Sequence, residues 1–135
     1  MRYLARREHS RTELRAKLLL YAQEGDDVEA VLDELTQRNW LSDARAAQML
    51  VNTKRSRFGV RRIAHELKQK GIGDDLISTA LVQLKQSELE TARAVWQKKF
   101  GVVAQDDKEK SRQVRFLQTR GVSLDVIFKV LRKTE

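Results

Sequence analysis

Two histidines, six glycines and no cysteine narrow the chemistry open to this 135-residue chain. His9 and His65 lack the neighbours that would make a nucleophile pair or a metal site. His65-Glu66 is not followed by the second histidine that a zinc-protease helix needs. No glycine stands in a phosphate-cradling loop closed by Lys-Ser or Lys-Thr. The acidic pairs Asp26-Asp27, Asp74-Asp75 and Asp106-Asp107 fall where helices begin, so they complement the macrodipole, and calcium-loop spacing is absent. Without cysteine there is no disulfide framework and no thiolate metal site. The expectation is a non-enzyme that uses no metal and no cofactor.

The residues that point somewhere are cations. The chain carries 27 Lys and Arg against 19 Asp and Glu, a net charge of +8. The first 50 residues are near neutral, and the surplus belongs to the rest. No acid lies between Asp43 and Glu66, and Lys54, Arg55, Arg57, Arg61 and Arg62 crowd one short stretch of it. Such a one-sign stretch fits a polyanion or an acidic protein face, or else a merely solvated surface. Cations suit the end of one helix but oppose the dipole at the start of the next, where Arg61 and Arg62 fall. That placement costs about a few tenths of a kcal/mol and hints at a binding role.

Helices must position these residues. Apolar side chains recur at helical spacing, as in Leu14, Leu18 and Tyr21, or Val28, Val31, Leu32 and Leu35. Ser10 with Glu13, Ser87 with Glu90 and Asp26 with Glu29 have capping-box spacing; Ser42, Asp74 and Ser123 read as single N-caps. Gly25, Gly71, Gly101 and Gly121 stand where helices should stop, and no proline interrupts any of them. The pattern predicts helices over 10–23, 27–38, 42–56, 59–70, 74–85, 88–100, 108–120 and 123–133. No apolar run approaches the roughly 20 residues that span a bilayer, so the chain is expected to be soluble and cytoplasmic, with no membrane partner.

Caps, glycines and apolar positions recur together at 48–50 residues: Gly25-Asp26-Asp27 with Gly73-Asp74-Asp75, and Leu67 to Ile72 with Leu117 to Val122. A period in this range marks stacked units. The expected fold is all-α: an elongated, curved array of three tandem three-helix units over 1–56, 57–101 and 102–135, the last shortened to two helices. Trp40, Trp96, Phe58, Phe100, Phe116 and Phe128 are expected to be core anchors.

The cationic segment also carries a resemblance. Phe58-Gly59-x-x-Arg62-Ile63-x-x-Glu66-Leu67-x-x-Lys70-Gly71-Ile72 is similar to the signature of the RecX family, bacterial regulators of the RecA recombinase. Tyr3 to Ser10 with Glu13-Leu14-x-x-Lys17-Leu18 resembles that family's opening motif. Trp40-Leu41-Ser42-Asp43-x-Arg45-Ala46-Ala47 resembles a later stretch, with Trp for its usual aromatic and Ser for its first acid. Phe116-Leu117-x-x-Arg120-Gly121-Val122 fits the third unit. Family members often carry more chain before the first motif, whereas this sequence begins almost inside it. The resemblance implies binding to RecA and to its filament on single-stranded DNA, bridging neighbouring protomers in the groove. It implies restraint of RecA ATPase, strand-exchange and co-protease activities in repair and recombination. Lys54, Arg55, Arg57, Arg61 and Arg62 are the expected main contact, with Arg93, Lys98, Lys99, Arg112 and Arg115 a weaker second set. Weak direct DNA binding is expected, by a monomer. The competing reading is a stand-alone DNA-binding protein using one unit as a helix-turn-helix.

Overall fold

The structure is a computed structural model that describes residues 7–133, the side chain of Lys133 excepted. Tyr3 to Arg6 of the opening motif therefore lie outside the described residues. The order is α1 (Arg11–Tyr21), α2 (Val28–Gln37), α3 (Asp43–Lys54), α4 (Val60–Gln69), α5 (Asp74–Lys99), α6 (Asp107–Thr119) and α7 (Leu124–Lys133), with no strand among the described residues.

Local chemistry explains the ends. Ser10 and Glu13 form a complete capping box on α1, Asp27 caps α2 and Ser42 caps α3. Asp26 instead accepts from the Gln23 backbone N–H, and Asp74 lies inside the first turn of α5 behind an N-cap at Gly73. The break expected between 85 and 88 does not occur: α5 runs for 26 residues without interruption. Neither Gly nor Pro occurs between Asp74 and Lys99, and Ser87 turns its hydroxyl back to the Gln83 carbonyl rather than capping Glu90. Capping-box spacing inside a continuous amphipathic stretch is not enough to start a new helix.

Three apolar clusters lie along the chain. Leu14, Leu32, Leu35 and Leu41 join α1 and α2. Ala46, Val51, Ile63, Leu67, Ile77, Leu81 and Leu84 join α3, α4 and the first half of α5. Ala92, Trp96, Leu117, Ile127 and Val130 join the second half of α5 to α6 and α7. The first and second clusters meet near Leu41, and the second and third meet inside α5. The last unit has a full set of three helices, because α5 serves two units. Trp96 is a core anchor whose indole N–H donates to the buried Gln113, 2.9 Å away. Trp40 is not: it is half exposed, with the Arg38 guanidinium 5.4 Å from its ring centre. The accessible surface of 9088 Å² for 15.7 kDa exceeds the ~7300 Å² of a compact monomer of that mass, as units in a row require.

The units are joined by one device used twice. The start of α1 sits on the end of α4: the Ser10 hydroxyl donates to the Lys70 carbonyl at 2.6 Å, and Lys70 Nζ meets Glu13 at 2.8 Å. The start of α4 sits likewise on the end of α6: Gly59 N–H donates to the Arg120 carbonyl at 2.6 Å and Arg61 N–H to the Gly121 carbonyl at 3.0 Å. A Cβ on Gly59 would stand 2.6 Å from the Gly121 oxygen, so only glycine permits the approach.

Candidate functional site

The Phe58-Gly59 turn lies on the second of these joints. Gly59 has no side chain to cap α4, and a residue of α5 replaces it. Glu88, 7% exposed, accepts from the Val60 backbone N–H at 2.9 Å and from the Ser123 hydroxyl. One carboxylate thereby ties the starts of α4 and α7 to α5. It also bears on Arg61 and Arg62. Their placement at a positive helix end is offset by Glu88 and by the carbonyl end of α6, so part of the expected hint of binding is structural.

The fixed turn presents Phe58, half-buried, with four cations around its ring. Arg62 is 4.1 Å from the ring centre, Lys54 and Arg120 are both at 5.3 Å, and Arg57 is at 5.6 Å. Arg120 also lies 5.2 Å from Phe116, which takes Lys99 at 5.5 Å and packs edge-on against Phe100 at 5.4 Å. Arg112 stands 5.7 Å from Phe100. Cations and rings therefore alternate from α3 across the joint to α6, in a single strip made by two units. The rings expected as core anchors are partly surface: aromatic faces hold the guanidinium groups while their charges stay in water. Phe128 is 41% exposed.

Acids do little to neutralise this strip. Glu66 stands 3.9 Å from both Lys54 and Arg62, beyond hydrogen-bond distance. Arg112 meets Glu109 at 3.4 Å, exposed.

Of the expected residues, Lys54, Arg57, Arg62, Lys99 and Arg112 thus belong to the strip. Arg55 borders the same small hollow as Arg57 and Phe58. Arg62 also donates to the Thr119 carbonyl at 3.3 Å, which gives it a share in the joint. Arg61 is exposed and lines a neighbouring hollow of about 410 Å³ with His65 and Gln118. Lys98 and Arg115 are exposed and Arg93 half-buried; none makes a ring contact or ion pair among the described residues. Arg120, which joins the two expected sets, was not among them. The 50-residue repeat that pairs Lys70-Gly71 with Arg120-Gly121 is the signal that marks it.

Family models for the first, second and third three-helix domains of RecX match residues 1–35, 42–81 and 86–131. Regulatory protein RecX of Herminiimonas arsenicoxydans is 47% identical over 135 residues, covering 100% of this chain and 89% of the relative. The chain belongs to the RecX family. Regulatory protein RecX of Neisseria gonorrhoeae is 39% identical, covering 94% of this chain and 82% of the relative. The crystal structure of RecX from Lactobacillus salivarius has the same fold, with a TM-score of 0.83 at 22% identity over 98% of this chain and 90% of that one. The second and third RecX domain matches meet inside α5, where the second and third apolar clusters also meet. No helix among the described residues is long and apolar enough to cross a membrane.

Proposed function

We propose that this chain is a non-catalytic regulator that binds the RecA filament on single-stranded DNA and restrains its ATPase, strand-exchange and co-protease activities in the cytoplasm. The observation that carries the reading is the strip itself. Cations from two units share rings across a rigid joint, with few acids to balance them, and such an array attracts and steers a polyanionic partner. A row of units can contact more than one subunit of a polymer. Rings between the cations also suit exposed bases, so weak contact with the filament's DNA belongs to the same reading. The chain acts as a monomer.

The test is charge reversal at Arg57 and Arg61, both exposed, in an assay of RecA ATPase on single-stranded DNA. Arg57→Glu with Arg61→Glu should fold normally and lose most of the inhibition; a folded variant that inhibits undiminished removes this face from the mechanism. Binding to naked single-stranded DNA as tight as to the filament would favour a stand-alone DNA-binding protein instead.

A further inference from the structure

The joints leave one end of the array open. The ends of α4 and α6 are each covered by the start of a neighbouring unit's helix, whereas among the described residues no helix start sits on the end of α1. Repeat spacing places Leu19, Leu20 and Tyr21 where the other units have Lys68, Gln69 and Lys70, and Gln118, Thr119 and Arg120. The two covered ends are polar and the open end is apolar. Leu19 is 58% exposed, Leu20 78% and Tyr21 74%. Three consecutive exposed apolar residues contribute nothing to the core of their own unit, where Leu14 and Leu18 do the packing.

We infer that this tip is a second contact surface, which docks on an apolar, basic-rimmed face of the protein subunits of the filament bound by the cationic strip. The inference rests on the function proposed above. Charge selects the occupant. The loop beyond the tip carries Glu24, Asp26 and Asp27, which repel nucleic acid and would repel the same loop of a second copy. Size is compatible: the three residues expose about 400 Å², the size of the largest apolar patch on an ordinary monomer, which is often functional. That is about half of what each side of a stable two-protein interface buries, so the tip binds weakly alone and gains strength from linkage to the strip. Its attraction is apolar and outlasts salt, whereas that of the strip does not.

The experiment compares wild type with the triple variant Leu19→Gln, Leu20→Gln, Tyr21→Gln, which leaves charge and core unchanged. Binding is measured to RecA filaments on single-stranded DNA and to the same DNA alone, at 0.1 and about 0.5 M salt. The variant should bind filaments at least about tenfold more weakly, lose the binding that wild type retains at high salt, and bind bare DNA as wild type does. Equal filament binding by both proteins at both salt concentrations overturns the inference and leaves the proposed function standing. So does a wild-type dimer that the variant dissociates, since the tip would then hold a second copy. Wild type that prefers bare DNA to the filament overturns both.

Discussion

Arg57 and Arg62 touch the same ring and do different work. Arg62 bonds a carbonyl of α6 and faces Phe58 at 4.1 Å, so Arg62→Ala should lower stability by about 0.5–1.5 kcal/mol in urea unfolding. Arg57 is exposed and, among the described residues, bonds no neighbouring unit through its side chain, so Arg57→Ala should stay within about 0.5 kcal/mol of wild type and still weaken filament binding. Glu88 is the residue on which the turn depends. Glu88→Ala strands the Val60 N–H and the Ser123 hydroxyl at a buried place and should cost about 1–3 kcal/mol in the same measurement. Glu88 did not stand out in the chain, and Arg120 did so only as part of the repeat and the third-unit motif, not as a contact residue. Each acts on residues that only folding brings near it, 28 positions away in the case of Val60. Lys54, Arg57 and Arg62 stood out because charge density is a local property.

At the scale of elements, helix content followed from spacing and capping because both operate within a few residues. Ser10, Asp27 and Ser42 each bond the N–H three residues on, and Gly71 and Gly121 both take positive φ. The continuity of α5 did not follow, since a helix shared by two cores has a capping-like pair where one unit's face gives way to the next. The shared helix makes a prediction. Gln86→Pro, in the middle of α5, should cost about 3 kcal/mol or more and uncouple the melting of the second and third clusters, read by calorimetry. The joint makes another. Gly121→Ala meets Arg62 and a φ of +83°, so it should cost about 1–3 kcal/mol or more, while Gly25→Ala, with open space around it, should cost only its backbone strain.

Across the whole molecule the two joints differ in strength. The second is spanned by α5 and its apolar clusters, whereas the first is polar: Ser10 and Glu13 on Lys70, the Arg11 N–H on Asp43, and Glu8 on Arg45. Burial raises the Glu13 carboxyl, but the hydrogen bonds from Lys70 and the Ser10 N–H, with the charges of Lys70 and Arg7, bring it down to about 2. Burial, then the charges of Lys17 and Arg7, hold the His9 imidazole below its usual 6.5. Both groups lie lower folded than unfolded, so their contributions are complete at neutral pH and are lost on acidification. His9 loses its share as pH falls below about 6.5, and Glu13 between about 4.5 and about 2. The protection of α1 amides against hydrogen exchange, taken relative to the unfolded-chain rate at each pH, should therefore fall with acid before that of α5 does, and Glu13→Gln should shrink the lower part of that pH response, of which Glu29, also brought down to about 2 by Arg15 and Arg11, keeps a share. The 26-residue α5, about 39 Å of unbroken helix, has a mechanical consequence. It is a strut that holds two cationic units at one separation, and in the function proposed above it would make the molecule a gauge of pitch, in register with a spiral partner only when successive turns present their charges at the interval the strut dictates.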